Sequence, residues 1–306
     1  MPLFLLRRGL AALLLVFAVS SGALLLAQLA PGDYAAQFNL SKEQIAAERH
    51  RLGLDRPFAE QYAGWLKRTL TLDFGESFQY QRPVVGLVRE RAAYTGLLAV
   101  TALVVATLLG IPAGIFTGSR RGGVLARLVR GASLVLLSVP PLISSLVLLT
   151  IAARTGWLPV SGAGGVSHLV VPTLALALPV AAMLERLQAQ SIGDALTRPS
   201  TMAARARGIP GARIVWRHGW RQSLGPILAV YGVIIGSLFS GSFAVEMVTS
   251  WPGLADLMRG ALMSRDTYLV AGCAAAGAAF LAAGVLAADV AHAMADPRLE
   301  GAPGAS

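Results

Sequence analysis

The sequence predicts an all-α integral membrane protein: six transmembrane helices, with a small external cap segment after the first. Three observations carry this. Of 306 residues, 55% are hydrophobic and only 14% charged, where a soluble domain carries about 25% charged residues; the mean hydropathy is +0.62. Apolar runs of bilayer-spanning length, about 20 residues, recur along the chain. The arginines gather in short segments between those runs, which marks the segments as cytoplasmic. The net charge of +10 therefore reflects topology. Anionic membrane lipids are the expected secondary partner, and no nucleic acid is expected. The single Cys273 lies in an apolar run, which excludes an intrachain disulfide and a cysteine metal cluster.

Residues 1–29 comprise the N-terminus, with Arg7 and Arg8, and an apolar run over 9–29. That run exceeds a signal-peptide core of roughly 7–15 residues, so it reads as a retained first span with its N-terminus inside. Residues 30–92 form a mixed-charge external segment. Within it Ser41 and Gln44 predict a capping box, opening a helix that runs toward Leu52 and stops near Gly53. Residues 93–293 read as a five-helix transmembrane core. Its spans are expected over 94–117, with Pro112 near the inner end, and over 129–153, kinked by Pro140 and Pro141. The others are 169–187, interrupted by Pro172 and Pro179, then 227–243 and 269–291. Between the first two of these, Arg120, Arg121, Arg127 and Arg130 stand with no intervening acid, the cleanest inside signal in the chain. Residues 294–306 form a cytoplasmic tail.

The segment 194–222 is the longest polar interval in the C-terminal two-thirds. Arg198, Arg205, Arg207, Arg213, Arg217 and Arg221 stand there against Asp194 alone. Met202, Ala203, Ala204, Arg205, Ala206, Arg207 and Gly208 combine helix formers, small side chains and a glycine stop. Such a short, slim helix lets another protein approach its backbone, although a plain positive-inside linker would share the charge. Arg213, Arg217 and Arg221 recur every four residues as one helical stripe. Trp216 and Trp220 form a neighbouring stripe roughly 100° around, suited to the inner headgroup level.

Ala203-Ala204, followed after three residues by Gly208, resembles the "EAA" loop of bacterial ABC importer permeases. The continuing run AARARGIPGARIVWRHGWRQSLGPI is similar to the oligopeptide/dipeptide/nickel branch of that family, with Pro199-Ser200 and Gly225-Pro226 as departures. LGLDRPFAEQYAGWL, LDFGESF, TGWLPVSG, Glu246, Trp251-Pro252-Gly253, Arg265-Asp266 and the Asp296-Pro297-Arg298 ending extend the resemblance over most of the chain. It implies a six-helix, type I-like ABC importer bundle in the bacterial cytoplasmic (inner) membrane, both termini cytoplasmic. This chain would be one half of the channel. Its partners would be a second, paralogous permease, two ABC ATPase subunits that hold ATP and Mg, and an extracytoplasmic solute-binding protein. Residues 202–208 would couple to an ATPase. Glu246, Trp251, Pro252, Gly253, Arg265 and Asp266 would form an external gate or binding-protein docking corner. Di- and oligopeptides are the first expected cargo, with nickel or a metal chelate next.

Gly232, Gly236 and Ser240 stand four apart on the fifth span, a small-residue face for helix packing or for a pore wall. Glu185, Arg186, Asp289 and His292 lie near span ends and read as interfacial anchors. His50, His168, His218 and His292 have no metal-ligand spacing, and neither a GxxxxGK[ST] loop nor a hydrolytic triad signature occurs. No catalytic residue, bound cofactor or metal is therefore expected on this chain, which reads as a non-enzyme with ATP hydrolysis on separate subunits. The rival is an ion-gradient-driven secondary transporter or channel; the want of a mid-membrane acid pair and of an internal repeat weighs against it. Cysteines introduced over 118–127 and 194–221 should label from the cytoplasm, and those over 31–90 and 246–266 from outside. External labelling at position 207 would refute this topology.

Overall fold

A computed structural model describes residues 2–37, 41–120 and 122–295. In chain order the helices are α1 (Pro2–Leu29), α2 (Lys42–Leu52), α3 (Phe58–Thr69), α4 (Val84–Ser119), α5 (Val124–Ser138) and α6 (Pro141–Thr155). They continue with α7 (Val166–Thr197), α8 (Pro199–Ala206), α9 (Gly211–Ile214), α10 (Trp220–Thr249), α11 (Leu254–Met263) and α12 (Thr267–Ala295). A π-helical turn, Val215–Gly219, joins α9 to α10. The only β feature among the described residues is an isolated antiparallel bridge between Glu76 and Pro83. The Asp296-Pro297-Arg298 ending, most of the 294–306 tail and Arg121 lie outside the described residues.

Five stretches are long and apolar enough to cross a membrane: Leu6–Leu29, Val84–Ser119, Val166–Thr197, Gly211–Thr249 and Thr267–Ala287. The expected kinked span over 129–153 is instead two 15-residue helices, α5 and α6, bent by 107° at their junction. Each is about 22 Å long, short of a hydrocarbon core of about 30 Å. The cause is local. A residue before proline is driven out of the α region, so Val139 (ψ 115°) and Pro140 (ψ 149°) are extended and Pro141 starts a new helix. A sixth span therefore exists only as this bent pair. Pro112, Pro172, Pro179 and Pro226, by contrast, lie inside unbroken helices.

Helix ends also move outward from the hydropathy limits. The helix α4 begins at Val84 rather than 94, and α7 continues to Thr197 rather than ending at 187. Its 36 residues make α4 about 54 Å long, well beyond a bilayer core. Hydropathy falls where charge appears, but helix propensity does not: Arg89 and Glu90 are exposed while Val84 and Leu87 on the same helix are buried.

The chain divides into two units, Met1–Gly96 with Pro252–Ala282 and Leu97–Trp251 with Ala283–Ser306. In the first, Val84, Leu87, Leu257, Ala261, Leu269, Val270 and Cys273 form one buried cluster. Beside it Trp65, fully buried, stacks on Tyr62 at 5.9 Å and meets Phe74 edge-on at 6.4 Å. The helix α2 has the expected capping box. Ser41 Oγ accepts from Gln44 N at 3.3 Å, Gln44 Oε1 accepts from Ser41 N at 3.0 Å, and Gly53 ends the helix at φ +68°.

In the second unit a row of residues four apart on α4 runs Leu98, Ala102, Ala106, Gly110, Gly114, Gly118, its side chains shrinking to nothing. A Cβ on Gly110 would lie 2.5 Å from Ala181 O of α7. On Gly114 it would lie 2.5 Å from Glu185 O, and on Gly118 2.4 Å from Ala189 O. The two backbones touch along two turns, which small residues permit and dispersion rewards in lipid. Gly114→Val should separate the helices and cost about 1–3 kcal/mol or more, read as a lower melting temperature and poor recovery from detergent. Gly131→Ala, whose Cβ meets nothing within 4 Å, should leave both unchanged; equal behaviour of the two variants would refute the close-contact account.

Candidate functional site

The segment 202–208 lies on a helix hung from the end of α7. Arg198 is extended (ψ 148°), and Pro199 takes the first helical position, where its fixed φ helps and its missing N–H is no loss. Thr201 Oγ1 donates to Ala195 O at 2.9 Å, fastening the first turn of α8 to the last of α7. The far end closes with Gly208 N on Arg205 O at 3.0 Å and Ile209 N on Ala204 O at 3.3 Å, Gly208 itself standing at φ +76°. The left-handed stop expected of Gly208 is therefore present.

The helix has two faces. Thr201 and Ala204 are wholly buried against the rest of the chain, while Met202, at 59% exposure, stands out with Ala203, Arg205, Ala206, Arg207 and Gly208. This revises the expected contact set: Ala204 seats the helix on its own subunit and is not available to a partner. The arginine and tryptophan stripes are also redrawn. A π-helical turn has more residues per turn than an α-helix. Across Val215–Gly219 it leaves Trp216 exposed and turns Trp220 onto the core of the second unit.

Behind α8 runs a buried polar chain. On α5, Arg130 Nη2 donates to Thr117 O at 2.6 Å and Arg120 O at 3.2 Å, satisfying terminal carbonyls of α4. The Thr117 hydroxyl donates to Glu185 Oε1 of α7 in a short contact. One turn on, Gln188 Nε2 donates to Ser223 Oγ of α10 at 3.0 Å. Glu185 is 2% exposed and Gln188 wholly buried. The anchor expectation thus fails for Glu185, whose carboxyl turns inward to Thr117 because glycines let α4 lie against α7. Arg186 is exposed and Asp289 half-buried; the side chain of His292 lies outside the described residues. Thr117, Gln188 and Ser223 escaped the sequence reading, since uncharged polar residues at span ends give no signal of their own.

The external set is structural more than it is surface. In the second unit Glu246 and Trp251 are buried, and Trp251 N donates to Glu246 O at 3.0 Å across the left-handed Ser250. In the first unit Gly253 is buried and leads into α11, whose Leu254 N donates to Thr95 Oγ1 at 2.8 Å. Asp266 is fully buried. Its carboxylate accepts from Ser77 Oγ at 2.6 Å and from the backbone N–H groups of Gln79 and Leu269, each at 3.1 Å. Of the six residues expected at a gate or docking corner, Arg265 is exposed, Pro252 is half-exposed and the other four are buried. Burial, partly offset by the hydrogen bonds, raises the Asp266 carboxyl above its ordinary 3.8. By linkage its contribution to stability is fullest below that ordinary value and declines as pH rises through the raised one. Of the small-residue face, Gly232 and Gly236 are half-buried and Ser240 exposed, while Ile234 and Leu238 face the core.

Residues 110–301 match the binding-protein-dependent transport system inner membrane component, and residues 1–99 match the N-terminal part of such membrane components. The chain belongs to this family. Among its relatives, the dipeptide transport system permease protein DppB of Lactococcus lactis subsp. cremoris is 28% identical over 289 residues, 94% of this chain and 95% of that protein. The glutathione transport system permease protein GsiC of Escherichia coli K12 is 31% identical over 267 residues, covering 86% and 87%. The oligopeptide transport system permease protein AppB of Bacillus subtilis is 27% identical over 316 residues, covering 98% and 100%. This is thus a multi-pass inner-membrane permease of the peptide type.

In this permease Asp266 should act as a fastener of the segment between α3 and α4. Asp266→Ala leaves a hydroxyl and two N–H groups without an acceptor, at about 1–3 kcal/mol for each buried one. Hydrogen exchange at Gln79 and at Leu269 in the first turn of α12 should accelerate about tenfold or more, while the interiors of the spanning helices keep their protection. Unchanged exchange at both amides would remove this role.

Proposed function

We propose that this permease forms one half of the channel of an ATP-driven importer of di- and oligopeptides, working by alternating access. The observation that carries the reading is α8: a short helix, exposed along one face, seated by Thr201 and Ala204 and stopped by a left-handed glycine. Met202, Ala203, Ala206 and Arg207 would enter a cleft of a cytoplasmic ATPase, while Arg205 lines the cavity beside α4. Force on α8 would pass through the Thr201–Ala195 bond into α7, and from there through Glu185–Thr117 and Gln188–Ser223 to α4 and α10. Two such subunits, the half-buried face of Gly232, Gly236 and Ser240 lining the path of each, would open alternately inward and outward. ATP and Mg would be held by the two ATPases, and an extracytoplasmic protein would deliver solute. Peptide cargo is supported by the names of the relatives. Both termini lie inside in this arrangement, with α5 and α6 crossing as one broken span.

Gly208→Val tests the coupling role without touching the membrane core. A Cβ there meets nothing within 4 Å, but the left-handed backbone costs a β-branched residue about 1–2 kcal/mol. Ala203→Trp adds bulk on the exposed face. Both variants should insert normally, lose co-purification with the ATPase, and lose ATP-dependent peptide uptake. Gly208→Asn, which tolerates the left-handed region, should retain most of it. Ala204→Trp should instead damage the subunit itself. Full uptake by both Gly208→Val and Ala203→Trp would defeat the assignment.

A further inference from the structure

Between the inner end of α4 and the α8–α9 segment lies an open cavity of about 470 Å³. Its wall is of two kinds. Pro112, Ile115 and Phe116 of α4 and Trp216 of the π-helical turn supply an apolar side; Arg120 and Arg205 supply two cations. No carboxylate lines it, and neither guanidinium is ion-paired among the described residues. Arg120 lies over the face of Phe116 at 5.1 Å, so the charge is held at the edge of the apolar surface. From Pro112 to Arg120 the wall rises about 12 Å along the helix. Pro112, Ile115 and Phe116 belong to the apolar run 94–117 and Arg120 to the arginine-rich segment after it, so the wall passes from apolar to cationic at the boundary expected between hydrocarbon and headgroups. Trp216, at 59% exposure, has the residue type favoured at that boundary.

We propose that this cavity is a binding site for one anionic phospholipid. Its phosphate would lie between Arg120 and Arg205, and its acyl chains along Pro112, Ile115 and Phe116. A soluble phosphate compound would leave the apolar wall unfilled, and a zwitterionic lipid would leave two arginines against a headgroup with no net charge. Because Arg120 ends α4 and Arg205 belongs to α8, the lipid ties the exposed helix to a membrane span. The site stands or falls on binding alone, separately from transport.

The test is native mass spectrometry of the full chain in detergent, titrated with phosphatidylglycerol or phosphatidylcholine of matched acyl chains. One phosphatidylglycerol should persist at collision energies that strip phosphatidylcholine. Arg120→Gln/Arg205→Gln should weaken its retention about tenfold, and Arg120→Lys/Arg205→Lys should restore most of it, which separates charge from misfolding. Arg127→Gln removes an exposed arginine outside the cavity and should change nothing. Equal retention of the two lipids, undiminished binding by the double glutamine variant, or an equal loss in Arg127→Gln would overturn the site. Competition by free glycerol phosphate would overturn it as a lipid site.

Discussion

The contact on which the second unit of this permease depends is the meeting of α4 and α7 without side chains between them. Gly110, Gly114 and Gly118 bring one backbone within a Cβ's reach of the other's carbonyl oxygens. In lipid there is no hydrophobic gain from pressing two apolar helices together, so close packing and polar contacts must hold them. The glycines supply the first and make room for the second. Only at this separation does the Thr117 hydroxyl reach Glu185. A carboxyl there would otherwise face hydrocarbon, at a cost that ordinary span residues never meet.

From that contact the polar contacts spread to four helices, α5, α4, α7 and α10, about three turns along α7 from α8. Hydrogen bonds between span ends are directional, and packed backbones have little freedom to slide. A displacement of α8 therefore has a stiff route into the bundle. The same stiffness explains the two-faced character of α8. One face must be spent on holding the helix to its own subunit, which is why Ala204 is buried and why its neighbours carry the exposed surface.

The segment between α1 and α4 solves a different problem. Its described residues form short helices and turns with one isolated bridge, so a few buried polar contacts set its shape. Asp266 binds the Ser77 hydroxyl and the Gln79 N–H from the loop before α4 and the Leu269 N–H from the first turn of α12. Trp65 does the same for the aromatic residues around it. These residues look like surface features in a linear reading because they sit in polar stretches. Their burial makes them framework.

What the sequence by itself determined is whatever depends on near neighbours. Hydropathy located the five long spanning helices, Ser41 and Gln44 announced a capped helix, and the alanine–glycine pattern of 202–208 pointed to α8 and its left-handed stop. Each is a property of a few consecutive residues, and family membership follows from the same patterns in order. Tertiary structure alone decided which side chains are covered. Thr117 and Glu185 are 68 residues apart, and Ser77 and Asp266 are 189 apart. No local pattern says that such pairs meet, so Glu185, Asp266, Trp251 and Ala204 could not be read as buried. The bend at Pro140–Pro141 belongs to both: proline dictated a break, but its 107° angle was set by the helices against which α5 and α6 pack.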